Sequence, residues 1–414
     1  MIIRKIEATH FRAFESLEVE FNDGFNILCG VNGAGKSTVL SAIASCLQYK
    51  YGALNSLSEG SFLRLDYIGR KDQKLRFVLP SEHLKRDENR VLRLIKQGVL
   101  KVNGGIVDYE QDKSGYASPL CIGPSRSIEQ SVVTSIIAEM TVATARDYYV
   151  NKALEFLENS YMPNVKQWMV NRFFMIDKNW AATERTNWYL VINRLNDIAD
   201  GADFQFDEVE RNLQPVFTLN GRKTYLEELS SGFQSVLAMV FSIVEWIETT
   251  NEGDEALIEN AKGTVLIDEI DAHLHPSWQM RIKGILQGLF PNVQFIVTTH
   301  SPHVISSAGK GEVGMLKNDN GHLTVDYVDG DIQNWKTDYI YSDIMGFEPT
   351  YDHSLEQFVD KVEGLIEAQN YTEALTLVEA YSHQAHPNDP TPFTFKRRIE
   401  RIQQKAVVDG VANG

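Results

Sequence analysis

Residues 30–37 read Gly30-Val31-Asn32-Gly33-Ala34-Gly35-Lys36-Ser37 and match the phosphate-binding loop G-x-x-x-x-G-K-[ST] at every fixed position. An apolar stretch over residues 25–29 precedes the loop and predicts a buried strand. Apolar positions from Val39 to Leu47 follow it at helical spacing and predict a helix. Because strand, glycine-rich turn and helix are the context that this motif needs, the sequence predicts a nucleoside triphosphate site.

The residue types in the loop explain how it would bind phosphate. Glycines let main-chain N–H groups close around phosphate oxygens, and the N-terminus of the following helix adds partial positive charge. Lys36 is expected to reach the terminal phosphates, and Ser37 to ligate Mg²⁺. The predicted nucleotide contacts in this segment are Asn32, Gly33, Ala34, Gly35, Lys36, Ser37 and Thr38.

The length, net charge and cysteine content of the chain limit the class of protein. The chain has 414 residues and a formal net charge of −16, so the whole molecule is not a generic polyanion binder. Its three cysteines lack metal-ligand spacing, which favours a reducing, cytoplasmic location. The sequence contains no apolar run of about 18 residues, so neither a membrane-spanning segment nor a membrane partner is expected.

Two further apolar strands end in residues suited to phosphate chemistry. Residues 264–267 lead into Asp268 and Glu269, where Asp268 is expected to hold Mg²⁺ and Glu269 to act as general base on water. Residues 296–299 lead into His300, which a neighbouring strand position would aim at the terminal phosphate. Solvated acids and a structural histidine at ordinary strand ends are the simpler alternatives.

Two other segments allow more than one interpretation. Ser230 precedes an apolar helix pattern, where it is either an ordinary N-cap or part of a helix N-terminus that receives phosphate from a second subunit. Asp271, His273 and His275 follow the carboxylate strand, and a connector with subunit-interface contacts is favoured there over a metal site.

In this order, the motifs resemble those of ABC-type ATPases, specifically the soluble branch of SMC-like, RecF-like and OLD-type proteins. The supporting segments are the phosphate loop, Leu229-Ser230-Ser231-Gly232-Phe233-Gln234, Asp268-Glu269, residues 271–276 and His300. The resemblance implies an α/β fold, namely an ATPase head with a mixed sheet around the phosphate loop, a helical insert and a C-terminal helical subdomain. It also implies ATP and Mg²⁺ as ligands.

The resemblance further implies that two subunits sandwich two ATP molecules. Ser230 and Gly232 of one chain would complete the site formed by Lys36, Glu269 and His300 of the other. Arg12, in a segment similar to the first strand end of this branch, would contact the nucleotide near its base or ribose, with a solvated arginine in a turn as the alternative. The glutamine-loop position is expected within residues 121–130, with Arg126 or Gln130 near the metal.

Patterning predicts four segments. Residues 1–125 form the first part of the head, 126–204 a helical insert, 205–334 the rest of the head, and 335–414 a helical subdomain. The resemblance implies that this last subdomain binds a partner. Within the head, residues 61–79 read as accessory strands, and Asn320-Gly321 reads as a hairpin turn.

Three functions remain open from the sequence. The first is an anti-phage defence ATPase of the Septu type, including retron-associated ones, because residues 355–381 resemble the tail through which such ATPases would control a nuclease; a helical hairpin that only packs on the head is the alternative. The second is a RecF-like repair or DNA-clamp protein, which requires a basic surface. The third is a nucleotide-gated scaffold with little turnover.

A local basic surface is the feature on which the second function depends. Eleven Lys and Arg residues lie within residues 64–101, but Asp and Glu are interleaved with them, which is also typical of a solvated surface.

Overall fold

The computed structural model describes residues 1–48, 62–69, 74–80, 118–128, 132–158, 164–199, 201–333, 335–346, 354–383, 385 and 389–411. Contacts divide the chain into two compact units, residues 1–347 and 348–414. Residues 335–346, assigned by the sequence pattern to the C-terminal subdomain, lie in the first unit. The domain boundaries as a set stay predictions.

The first unit contains a ten-stranded mixed sheet with the order β5-β4-β1-β2-β13-β12-β3-β11-β10-β6. Its strands are β1 (Ile2–Phe11), β2 (Phe14–Glu20), β3 (Phe25–Cys29), β4 (Phe62–Ile68), β5 (Lys74–Pro80), β6 (Leu120–Ile122), β10 (Gly263–Ile267), β11 (Val293–Thr298), β12 (Val313–Asp319) and β13 (His322–Tyr327). A separate three-stranded sheet comprises β7 (Phe204–Val209), β8 (Pro215–Leu219) and β9 (Arg222–Tyr225).

The central strands β6, β10, β11, β3 and β12 run parallel to one another. Every residue of β3, β10 and β11 is buried, which explains their near-continuous apolar sequences, since helices cover both faces of a parallel sheet. The carboxyl ends of parallel strands meet at one edge. The segments after β3, β6, β10 and β11 therefore come together there.

The antiparallel strands extend the sheet on the other side of β12. The predicted accessory strands are present as β4 and β5, where β4 pairs with β1 on one side and with β5 on the other. The predicted hairpin is also present, because β12 and β13 pair through Asp319 and His322 with Asn320 and Gly321 at positive φ. Positive φ at both turn positions matches the twist of the two strands.

The helices of the first unit are α1 (Lys36–Gln48), α2 (Val142–Glu158), α3 (Val165–Met175), α4 (Ala182–Ile192), α5 (Leu195–Ile198), α6 (Ser231–Thr250), α7 (Pro276–Leu289), α8 (Pro302–Ile305) and α9 (Thr337–Tyr339). The helical pattern predicted from residue 127 begins only at Val142. Residues 132–141 form neither helix nor strand, because Gln167 and Asn171 of α3 bind the main chain at Ser135 and Ile137 instead of leaving it to form a helix.

The second unit has its own core. Its helices are α10 (Ser354–Glu367), α11 (Tyr371–Ser382) and α12 (Thr391–Val411). Phe358, Val362, Val378 and Ile399 are among the side chains that form this core. This unit agrees with the helical tail expected from the sequence.

None of the helices in the described part of the chain is long and apolar enough to cross a membrane.

Candidate nucleotide-binding site

The phosphate loop joins β3 to α1 in a conformation that only glycine accommodates easily. Gly35 has a φ of +101°, and a Cβ atom there would lie 2.5 Å from the ring of Phe14. Asn32, Gly33 and Ser37 are exposed, Thr38 is partly exposed, and Ala34 is buried. The loop thus presents its main chain and hydroxyl to the surface while its base packs on the β1–β2 hairpin.

Lys36 folds back over the loop. Its Nζ donates to the carbonyl oxygens of Gly30 at 3.0 Å and Val31 at 3.1 Å. Burial lowers the pKa of Lys36, while nearby acids including Asp268 and Glu269 oppose that shift. The ammonium group therefore lies at the centre of the loop, where the motif requires a positive charge for phosphate oxygens.

Asp268, at the end of β10, is directly connected to the phosphate loop. Its Oδ1 accepts hydrogen bonds from Ser37 Oγ at 2.9 Å and from Thr298 Oγ1 at 2.5 Å. A hydroxyl and a buried carboxylate side by side are oxygen donors of the kind that Mg²⁺ takes together with substrate phosphates. This donor set fits the predicted magnesium site.

Glu269 follows with an exposed side chain and an uncommon main-chain conformation. Its φ is +48°, in the left-handed region that a residue with a Cβ atom seldom adopts. Its N–H donates to Thr298 Oγ1 at 2.8 Å, and its carbonyl oxygen accepts from Arg126 at 2.8 Å. Within the described ranges the carboxylate accepts no hydrogen bond, and it is exposed.

His300 lies at the end of β11 and is linked to the same edge through Asp271. Oδ1 of Asp271 accepts from Thr299 Oγ1 at 2.5 Å and from the His300 N–H at 3.3 Å. Burial lowers the pKa of His300, and the charge of Lys36 lowers it further, so the imidazole is neutral near pH 7. The sequence pattern missed this supporting role of Asp271, since spacing alone does not show which strand end an acid meets.

The alternative metal site in residues 271–275 is not formed. His275 caps α7 by accepting from Ser277 N, and no group of three His, Cys, Asp or Glu residues suited to a metal occurs among the described residues. Asp268 and Asp271 at this edge accept hydrogen bonds from separate partners instead.

Arg126, expected near the metal, contacts the main chain of the predicted magnesium site through the Asp268 carbonyl oxygen. It is 1 % exposed, and its guanidinium donates to four main-chain carbonyls, those of Gly123, Asp268, Glu269 and Ile270. It therefore contacts the backbone beneath the carboxylates. Gln130, the other candidate, lies outside the described residues.

The Ser230 segment begins α6. Ser230 Oγ accepts from Phe233 N at 3.4 Å, as an N-cap does, and both Ser230 and Ser231 are exposed. A Cβ atom at Gly232 would lie 2.8 Å from the carbonyl oxygen of His273, so glycine lets α6 approach the connector closely. The N-cap interpretation fits, and the N-terminus of α6 also remains accessible to a second molecule.

Arg12 lies in the tight turn between β1 and β2 with a φ of +54°. It forms an ion pair with Glu158, the last residue of α2, in which both side chains are substantially exposed. Its contact with a nucleotide stays a prediction.

The strand order and the residues at the sheet edge resemble an ATPase head of the soluble ABC type, as found in SMC-like and RecF-like proteins. Two family models match the chain. One, described as "AAA domain, putative AbiEii toxin, Type IV TA system", matches residues 140–306, and the other, described as "AAA domain", matches residues 5–176. Each covers less than half of the chain.

Curated relatives show which ATPases the chain resembles in sequence. The chain is 23 % identical to a Septu protein PtuA of Bacillus thuringiensis, over 97 % of this chain and 98 % of that protein. It is 26 % identical to a Septu protein PtuA of Bacillus mycoides over 76 % of this chain but 40 % of that protein. It is 32 % identical to the Retron Ec83 probable ATPase of Escherichia coli over 42 % of this chain and 32 % of that protein. The predicted resemblance to Septu-type and retron-associated ATPases is confirmed.

Solved structures with a similar chain path are SMC heads. An SmcHead bound to the C-winged helix domain of ScpA superposes with a TM-score of 0.45 at 13 % identity, covering 80 % of this chain and 98 % of that chain. The SMC head domain of Thermotoga maritima gives 0.41 at 17 % identity, covering 80 % of this chain and 100 % of that chain. These scores are low, and the fold assignment rests on the strand order described above.

Proposed function

We propose that this edge of the sheet binds ATP with Mg²⁺ and hydrolyses it. The 2.9 Å hydrogen bond from Ser37 of the phosphate loop to Asp268 of the carboxylate strand carries the proposal. These two residues are separated by most of the head sequence. Their contact brings the phosphate-binding element to the acidic element that nucleotide hydrolysis needs.

The residues at this edge take complementary roles in the proposed reaction. Lys36 neutralises charge on the transferred phosphoryl group, and Glu269 takes a proton from the attacking water. Ser37 and Asp268 would hold Mg²⁺, which adds positive charge beside the phosphates when bound. Neutral His300 can donate a hydrogen bond to a phosphate oxygen without losing a proton at pH 7.

We infer that two chains form a dimer around ATP, with the second chain supplying Ser230 and Gly232. The exposed N-terminus of α6 supports this arrangement, because its main-chain N–H groups and helix dipole favour an anion. Arg12 would contact the same nucleotide from the β1–β2 turn, which requires its ion pair with Glu158 to open.

We further propose that the ATPase controls a nuclease in anti-phage defence. The proposal is supported by the full-length likeness to a Septu protein PtuA and by the separate core of the second unit. That unit carries an exposed Phe393 beside Arg397, an apolar and basic pair suited to a partner surface. In this function α10 to α12 dock the nuclease, and nucleotide state in the head regulates it.

A RecF-like repair role is the second candidate. Short segments match a Rad50 ATPase of Methanopyrus kandleri, 46 % identical over 11 % of this chain, and a RecF of Heliobacterium modesticaldum, 48 % identical over 11 %. The basic cluster needed for DNA binding falls largely outside the described residues. Of its members in the described part, Arg64 pairs with Glu7 and Asp66.

The test is affinity purification of the Glu269→Gln chain from its native host with ATP, followed by mass spectrometry and native mass measurement. A dimer carrying a nuclease supports the defence function, and Lys36→Ala, purified in parallel, should lose the dimer. Repair proteins and chromosomal DNA in place of a nuclease would favour the RecF-like function. A stable assembly formed by a wild-type chain that releases no phosphate would indicate that the protein is a nucleotide-gated scaffold.

A further inference from the structure

The main chain at Glu269 is strained and is held from both sides. A left-handed φ at a residue with a Cβ atom is unfavourable and persists only where surrounding contacts determine it. Thr298 Oγ1 accepts the Glu269 N–H at 2.8 Å, and Arg126 Nη2 donates to the Glu269 carbonyl oxygen at 2.8 Å. Both peptide groups of this residue are therefore fixed.

Arg126 is bonded entirely to the main chain of this turn. Its Nε donates to Gly123 O at 2.8 Å, its Nη1 to Ile270 O at 3.2 Å, and its Nη2 to Asp268 O as well as Glu269 O. Three consecutive carbonyls of the carboxylate strand end thus converge on one guanidinium. Burial lowers its pKa to about 10, so it is still protonated at neutral pH.

The segment that carries Arg126 is itself anchored. Gly123 lies so close to α2 that a Cβ atom would be 2.5 Å from the Phe156 carbonyl oxygen. On the other side, Ile128 N–H donates to Gln234 Oε1 of α6 at 3.0 Å. Arg126 therefore approaches the turn from a segment that packs on α2 and is hydrogen-bonded to α6.

We propose that Arg126 is a positioning residue that holds Glu269 in its left-handed conformation and so aims the carboxylate at the attacking water. This inference rests on the proposed hydrolysis. The hydrogen bonds of Arg126 go to main-chain carbonyls, so it organises the turn directly, while its charge also attracts the nearby Asp268, Glu269 and Asp271. A planar guanidinium with five N–H donors is suited to this, whereas a lysine ammonium cannot reach four acceptors in the same directions.

The first test compares Arg126→Lys with wild type. Lysine keeps the positive charge but lacks the planar guanidinium group with its several N–H donors. We therefore expect kcat to fall about 10²-fold, the loss typical of a misplaced catalytic group. The Kd for ATP, measured by calorimetry with Mg²⁺, should stay within about threefold because no phosphate-loop contact is removed. A merely structural defect would change both quantities or the folded fraction.

The second test repeats the substitution in a Glu269→Gln background, using single-turnover cleavage of radiolabelled ATP. If Arg126 acts through Glu269, Arg126→Lys should lower the residual rate no further, since the two substitutions remove one function. A matched control is Arg172→Lys, another fully buried arginine that contacts no residue of the site edge. It should affect stability rather than this rate.

A third variant covers the case in which Arg126→Lys folds poorly. Arg126→Ala leaves a space of the size of a guanidinium ion. We expect millimolar guanidinium to raise the kcat of this variant at least about tenfold. A folded Arg126→Lys chain with wild-type kcat, or a full additional loss in the Glu269→Gln background, would overturn the positioning role alone. Unchanged turnover in Glu269→Gln itself would overturn the proposed general base as well, so the two failures are distinguishable.

Discussion

Two fully buried arginines show how the same residue type serves two regions of this molecule differently. Arg126 and Arg172 are each 1 % exposed. Arg126 donates to main-chain carbonyls at the sheet edge, whereas Arg172 of α3 donates to the carboxylates of Glu248 at 2.8 Å and Glu139. Within the described ranges, Arg126 forms an ion pair with no carboxylate, whereas Arg172 forms ion pairs with two.

The difference separates a region suited to chemistry from one that holds helices together. At the sheet edge, Glu269 is exposed and its carboxylate can meet substrate. Between α3 and α6, Glu248 also accepts from Trp168 Nε1 at 3.2 Å and Asn187 Nδ2 at 3.1 Å, so its hydrogen-bonding capacity is used within the fold. We therefore expect substitutions at the sheet edge to lower activity and substitutions between α3 and α6 to lower stability.

The largest effect is expected at the phosphate loop. Lys36→Ala should abolish detectable ATP binding and turnover, because it removes the buried ammonium at the centre of the loop. Calorimetry with Mg²⁺-ATP and a phosphate-release assay would measure both. Normal turnover in this variant would contradict the assignment of the whole site.

The next largest effect is expected at Arg172. Arg172→Met should lower the free energy of unfolding by about 3–5 kcal/mol, since it leaves Glu248 buried without its cation. Urea unfolding would measure this loss, and kcat per folded molecule should stay within about threefold. Adding Glu248→Gln should recover part of the stability, and a loss of kcat in the folded variant would remove the contrast with Arg126.

Stability in the second region should also depend on pH through Glu245. Burial raises its pKa to about 8, and its Oε2 has no hydrogen-bond partner in the described part of the chain. The folded state therefore keeps a proton that the unfolded state loses near pH 4.5, and the stabilisation from this proton is lost as the pH rises through about 8.

Between pH 6 and pH 8, the wild-type chain should consequently lose about 2 kcal/mol of stability relative to Glu245→Gln. Urea unfolding of both chains at each pH would measure this difference. Exposed Glu252→Gln serves as the control and should follow wild type. Parallel pH profiles for wild type and Glu245→Gln would show that Glu245 is ionised in the fold.

The smallest effect on stability is expected at Ser230. Substitutions there can distinguish a helix N-cap from a residue that also contacts phosphate. Asp is as good an N-cap as Ser, so Ser230→Asp should unfold within about 0.5 kcal/mol of wild type, while Ser230→Ala should lose about 1 kcal/mol. If Ser230 also meets a phosphate of the partner's ATP, the Asp variant should turn over at least about tenfold more slowly than the Ala variant. Equal rates would reduce Ser230 to a cap.

Local patterns predicted much of the fold. The loop, the apolar strands before Asp268 and His300, and the Asn320-Gly321 turn depend on neighbouring residues, and the structure contains each of these elements. The α/β class followed from the alternation of strands and helices. Residues 132–141 were wrongly predicted as helical, because side chains of α3 compete for their main chain.

The finer organisation of the site could not be predicted, because it depends on contacts between distant segments. The sequence made Arg126 a candidate near the metal, but only the pairing of β6 with β10 shows that it lies beneath the main chain of Glu269. Asp271 supports His300 for the same reason, across β10 and β11. The strained φ of Glu269 has no signal in the sequence, since glycine is the residue normally expected there.

The most direct measurement is steady-state phosphate release by wild type and Glu269→Gln with saturating Mg²⁺-ATP, alongside ATP affinity for both chains. We expect measurable phosphate release by wild type and a rate about 10³-fold lower in Glu269→Gln. The two chains should bind ATP with nearly equal affinity, because the substitution removes only a proton acceptor. Equal turnover in the two chains would contradict the central claim that Glu269 at this sheet edge drives ATP hydrolysis.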